Sequence, residues 1–91
     1  MHYQIYMERR AEKALANLPQ KDQLRVLVVI DALSENPRPQ GCVPVKAAPK
    51  GTYRVRVGDY RVVYLVLDGE RQVIVAKVAR RDERTYRDIS D

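Results

Sequence analysis

Ninety-one residues can build one domain around a single small core, and a net charge of +5 suits a polyanionic partner such as nucleic acid. One cysteine and one histidine are too few ligands for a structural zinc site or a Cys–His nucleophile pair, and the lone Cys42 excludes an internal disulfide and fits a reducing cytoplasm. No apolar run approaches the ~20 residues that cross a bilayer, the first residues lack the apolar stretch of a secretion signal, and no Gly-rich phosphate loop is present.

Tyr3 to Met7 alternates Tyr3, Ile5 and Met7 against Gln4 and Tyr6, which predicts a short strand with His2 exposed at its mouth. From Glu8 the period changes. Ala11, Ala14, Leu15 and Leu18 recur at helical spacing, and Pro19 ends this helix and can open the next. A second helix is expected from about Lys21 to Glu35, closed by Asn36-Pro37. Its apolar arc is wide: Leu24, Leu27 and Val28 form one stripe, and Val26, Ile30 and Leu33 a second beside it. Most of that arc is expected in the core, with any exposed remainder a docking surface. Asn36 to Thr52 holds four prolines and two glycines, which preclude a regular helix or central strand. It carries Arg38, Lys46 and Lys50 without an acidic residue, and Arg38 reads as part of a solvated crossover.

Thr52 to Leu67 is the clearest pattern: apolar and basic residues alternate, break at Gly58-Asp59 and resume. That is a hairpin with a two-residue II′ turn, Gly58 supplying the positive φ. Val57 then opposes Tyr60, Arg56 opposes Arg61 and Val55 opposes Val62. One face carries Tyr53, Val55, Val57, Tyr60, Val62 and Tyr64, the other Arg54, Arg56 and Arg61. Like charges directly opposed destabilise a sheet, and guanidinium forks bind phosphate bidentately, so the basic face reads as a polyanion site. Asp68-Gly69-Glu70 predicts a further turn before a strand from Gln72 to Ala79. A two-residue loop would bury Lys77, at high cost. A three-residue loop is therefore expected, with Lys77 opposite Arg61 and Ile74, Ala76 and Val78 inward. Continued alternation brings Arg81 to the face of Arg54, Arg56 and Arg61, and Arg80, Arg84 and Arg87 surround Tyr86 in the closing segment.

Such a cluster suits RNA cleavage by the RNA's own 2′-hydroxyl. Arginines can stabilise charge on the phosphorane, and an aromatic ring can stack on a base. Arginine rarely gives up a proton, so the acid and base are less evident. These residues by themselves describe a small basic polyanion-binding α+β domain.

The strings Y-R-V-R-V-G-D-Y-R-V-V-Y and V-A-R-R-D-E-R-T-Y-R, with A-E-K-A-L-A-N-L-P and N-P-R-P before them, resemble the RelE/ParE superfamily of toxins from toxin–antitoxin systems. The resemblance spans residues 1–91 as a single toxin domain. It implies an α+β fold, β-α-α-β-β-β, with a two-helix layer on a small antiparallel sheet. For the RelE branch it implies a metal-independent, cofactor-free endoribonuclease that cuts mRNA in the ribosomal A site, with a cognate antitoxin as partner, in the cytoplasm, away from membranes. On that resemblance Arg54 and Arg56 hold backbone phosphates and assist proton transfer, and Arg61 stabilises the scissile phosphate. Arg81 protonates the leaving group or binds phosphate, and Tyr86 stacks on a base. Lys46, Lys50, Lys77, Arg80 and Arg84 complete the expected RNA-binding set. The RelE pattern prefers Lys where this chain has Arg54 and Arg56, and Ala79 and Arg80 stand where related branches place a His. The ParE branch uses the same fold to poison DNA gyrase and is the alternative.

Overall fold

Residues 2–80 are described by the structure, a computed structural model. In chain order they form β1 (Gln4–Met7), α1 (Arg9–Ala16), α2 (Gln20–Ala32), β2 (Val43–Pro44), β3 (Thr52–Val57), β4 (Tyr60–Leu67) and β5 (Gln72–Arg80). The strands make one sheet in the order β1-β5-β4-β3-β2. Pairing is antiparallel throughout except that β1 runs parallel to β5. The helices cover one face, giving the expected two-helix layer, and the sheet is mixed.

Each helix is set by local chemistry. Glu8 precedes α1 in an extended conformation, and Asn17 closes it. Pro19 then caps α2 with φ −53°, a value its ring imposes. Ala11 and Leu15 of α1, Val26 and Ile30 of α2, and Leu33 just after it pack against Val55, Val57, Val62, Tyr64, Val66, Val73, Val75 and Val78 of the sheet. The second helix begins at Gln20 and ends at Ala32, three residues short of the expected end, in a turn where the Leu33 N–H bonds the Ile30 carbonyl at 3.0 Å. Of its two stripes, Val26, Ile30 and Leu33 are buried, while Leu24, Leu27 and Val28 remain exposed.

The β3–β4 register is as expected: Val57↔Tyr60, Arg56↔Arg61 and Val55↔Val62 are partners. Gly58 takes φ +59°, and a Cβ there would lie 2.7 Å from Arg25 Nη2. The turn is what requires glycine here, since the tip of the Arg25 side chain can move aside. Nearby, the Tyr60 hydroxyl donates to Asp22 of α2 at 2.7 Å.

The last connection departs from expectation. Leu67 pairs with Gln72, so the loop has four residues, Asp68 to Arg71, and the left-handed conformation falls on Arg71 (φ 55°) rather than on Gly69. Tyr64 pairs with Val75 but Val63 pairs with Lys77, leaving Ala76 as a bulge. Lys77 therefore faces away from the helices, as expected, but opposite Val63 instead of Arg61. Ile74 points outward, opposite Leu65, while Val73 and Val75 are fully buried. The bulge has a plain cause: Val73, Val75 and Val78 are spaced two and then three apart, and only an extra residue lets all three reach the core.

Tyrosines and one ion pair tie the far end of the sheet to the irregular segment. Arg38 binds both carboxylate oxygens of Asp68 and donates through Nε to the Tyr53 hydroxyl at 3.1 Å. Its guanidinium lies 5.4 Å from the centre of the Tyr53 ring. The Tyr3 hydroxyl donates to Asp68 at 2.6 Å. Arg38 is thus a clasp, not the solvated crossover residue expected. Its hydrogen bonds hold the Asp68 carboxyl below the usual carboxylate range. A depressed folded-state pKa contributes stability above the unfolded value of about 3.9, and that contribution is lost as pH falls through the folded value. Asp68→Asn should accordingly lower the urea midpoint at pH 6, with the gap from the unsubstituted protein closing as pH falls below the usual carboxylate range. A gap independent of pH would show that the pair does not act through ionisation.

Candidate nucleic-acid interface

The sheet face turned away from the helices carries two ordered rows. In one, Arg54 of β3, Val63 of β4 and Lys77 of β5 are successive cross-strand partners; in the other, Arg56, Arg61 and Ala79 are. Neighbouring strands lie about 4.8 Å apart, and residues two apart on a strand about 6.7 Å. Four cationic side chains thus originate from a patch roughly 10 Å by 7 Å. Arg56 and Lys77 are exposed and Arg54 is half-buried. The Arg54 Nε is buried with no hydrogen-bond partner among the described residues. An unmet buried donor costs about 1–3 kcal/mol, and together with the opposed Arg56 and Arg61 it marks a face built for something other than stability.

Arg61 lies on the polar face but is only 1% exposed. Its replacement cannot be nearly neutral for folding, as an exposed site would be.

The other predicted residues scatter. Lys46 and Lys50 are exposed in the loop before β3, beside the patch rather than in it. Arg80 is exposed at the end of β5 opposite Tyr60, which gives it the parity of the helix-covered face. Arg81, Arg84 and Tyr86 lie outside the described residues. His2 pairs with Glu35 at 3.0 Å at the Leu67–Gln72 end of the sheet. Arg61 lies six residues along β4 from Leu67, or roughly 20 Å.

Next to the cationic rows on the same face is an apolar groove of about 290 Å³, lined by Glu8, Ala48, Pro49, Thr52, Val63, Leu65, Ile74 and Ala76. Sequence reasoning missed it, because it needs the bulge at Ala76 and the return of the loop over the sheet. The Val45 N–H bonds the Thr52 carbonyl at 2.9 Å, and the Thr52 N–H bonds the Pro49 carbonyl at 3.1 Å. No local signal marks it, because Ile74 turns outward only in the observed β4–β5 register.

Proton transfer has few candidates here. Hydrogen bonding to Asp22 pushes the Tyr60 hydroxyl above the usual phenol range, and burial does the same to Tyr64, so neither can act as a phenolate at neutral pH. Among the described residues no three His, Cys, Asp or Glu side chains group as a metal site, and no helix is long and apolar enough to cross a membrane.

Two helices on a five-stranded mixed sheet with a cationic face make a small α+β domain, and comparison with known proteins gives its family. The family model for the ParE toxin of the type II toxin–antitoxin system parDE matches residues 5–85. A protein named as toxin RelE1 in Methanocaldococcus jannaschii is 34% identical over 85 residues, covering 90% of this chain and 93% of the relative. The toxin RelE of Mycobacterium tuberculosis is 35% identical over 80 residues, covering 87% and 81%. The crystal structure of an archaeal RelE–RelB complex from Pyrococcus horikoshii superposes with a TM-score of 0.77 at 28% identity, covering 91% of this chain and 99% of that one. The chain belongs to the RelE/ParE superfamily and is a toxin of a type II toxin–antitoxin system, RelE-like in its relatives.

Proposed function

We propose that this toxin is a ribosome-dependent endoribonuclease that cleaves mRNA in the A site and so inhibits translation in the cytoplasm. One observation carries the reading: Arg54, Arg56 and Lys77 rise from one face of the sheet in two adjacent rows, with Arg61 buried among them. Solvent or a ribosomal group takes the 2′-proton, the 2′-oxygen attacks the adjacent phosphorus, and the bond to the 5′-oxygen breaks; that oxygen takes a proton from water, leaving a 2′,3′-cyclic phosphate and a 5′-hydroxyl. Arg56 neutralises charge on the phosphorane, and Arg61 joins it once its guanidinium is uncovered. Arg54, Lys77, Lys46 and Lys50 hold the flanking backbone. Arg81, with Arg80 and Arg84 beside it, assists the departing oxygen, and Tyr86 stacks on a base.

The test is primer extension on ribosome-programmed mRNA beside a gyrase supercoiling assay. Cuts confined to the A-site codon support the reading; gyrase-linked DNA breaks select the alternative, which the match to the ParE family model favours.

Arginine cannot shift its pKa far enough to exchange protons near neutrality, and His2 is remote. Single-turnover cleavage should therefore rise with pH between about 5 and 8 as solvent or a ribosomal group takes the 2′-proton, without a side-chain bell. A limb near pH 6.5, the ordinary histidine value, that vanished in His2→Ala would overturn this.

The partner is a cognate antitoxin, as the RelE–RelB complex suggests by its composition. Leu24 and Val28 are 57% and 68% exposed on α2, and with Leu27 they form the apolar stripe that such a chain would cover. Val26, on the other stripe, is fully buried and cannot take part. Val28→Asp should weaken antitoxin binding at least about tenfold, one desolvated apolar contact being worth this much, with the melting temperature unchanged. Unaltered affinity would move the interface elsewhere.

A further inference from the structure

Three of the cations in the two rows are arginines, and a guanidinium does not give up its proton near neutrality. Lys77 is the exception. It is exposed and forms no ion pair among the described residues. Val63 links it across β4 to Arg54, and two residues further along β5 stands Ala79, the partner of Arg61. Ala79 puts only a methyl group between the ammonium and the Arg56–Arg61 row. Two strand spacings across and one two-residue step along separate the roots of Lys77 and Arg56, roughly 12 Å. Two long side chains can close that gap around one phosphodiester.

The charged groups around Lys77 come from four elements. Arg54 and Arg61 share its face from β3 and β4, and Arg10 of α1 lines the same cleft as Lys77. The fourth is Glu8. Met7 pairs with Val75 and the Glu8 N–H bonds the Val75 carbonyl at 2.9 Å, which sets Glu8 beside Lys77 on the side away from Arg54. The carboxylate is thus clear of an anion held between Lys77 and Arg56.

We propose that Lys77, besides holding backbone, is the proton donor to the departing 5′-oxygen. The proposal rests on the reading of this toxin as a ribonuclease and deepens it. As the bond from phosphorus breaks, its electron pair stays on the 5′-oxygen, and a proton passes to that oxygen from Nζ. Water then reprotonates the amine, so the proton drawn from water reaches the product through Lys77. Arg81 can steady the same oxygen with hydrogen bonds but cannot supply the proton. An ordinary ammonium titrates at about pH 10.4, so a donor of this kind adds no limb to the profile between about pH 5 and 8.

A substrate that needs no proton isolates the step. Ribosome-programmed mRNA is made with one sulfur in place of the bridging 5′-oxygen at the A-site cut, because a thiolate departs unprotonated far more readily than an alkoxide. Single-turnover rates are measured on both messages for the unsubstituted protein, Lys77→Arg and Lys77→Met. On the oxygen message both variants should lose on the order of 10²-fold, as when a positioned general acid is removed. On the sulfur message Lys77→Arg should stay within about threefold of the unsubstituted protein, since the retained charge is all that step then needs. Urea midpoints should match, Lys77 being exposed.

Full activity of Lys77→Arg on the oxygen message would make Lys77 a phosphate holder only and overturn the proposal. An equal loss on the two messages would overturn it too, while leaving the ribonuclease reading in place. An unsubstituted protein that cut neither message on the ribosome would overturn that reading and the proposal with it.

Discussion

Arg56→Ala is expected to lower cleavage of ribosome-bound mRNA on the order of 10²–10³-fold, the cost of removing one donor to a developing oxyanion. Its stability should change by less than about 1 kcal/mol, because Arg56 is exposed. A residue retained for the fold alone would show the reverse. Arg61→Ala makes the control. With Arg61 buried, its loss leaves a cavity and should cost about 2–4 kcal/mol in addition to activity. Single-turnover rates and urea unfolding of both variants decide the matter. Full activity in Arg56→Ala would remove the proposed site.

Tyr64→Ala should come close to unfolding the protein. The ring is fully buried in the middle of β4 and lies 6.1 Å from the Tyr53 ring. Its hydroxyl donates at 2.8 Å to the Pro37 carbonyl, pinning the start of the irregular segment. Truncating a buried aromatic costs about 3–5 kcal/mol, against the roughly 5–14 kcal/mol that a chain of this length holds. Tyr64→Phe keeps the ring and strands only the carbonyl, at about 1 kcal/mol. Denaturant midpoints of the two variants should differ by the remainder. Equal midpoints would mean that the hydrogen bond, not the ring, holds the segment.

What could be read from the residues was local. The β3–β4 hairpin was legible because a two-residue turn at Gly58-Asp59 leaves only one register, and alternation then assigns Arg54, Arg56 and Arg61 to one face. The helices were legible from their periodicity and from Pro19. The Y-R-x-R-x-G-D-Y-R string was enough to suggest the superfamily that the comparisons then showed.

Tertiary structure decided what depends on distant partners. The β4–β5 register rests on a four-residue loop and the bulge at Ala76, neither visible locally, because both follow from three valines having to meet helices encoded some fifty residues earlier. The same bulge turns Ile74 outward and opens the groove. Arg38 reads as a solvated loop residue until Asp68, thirty positions on, is brought beside it. The burial of Arg61 is likewise a property of the folded chain. Alternation assigns a side chain to a face, but what packs around and over it there determines how much of it water can reach.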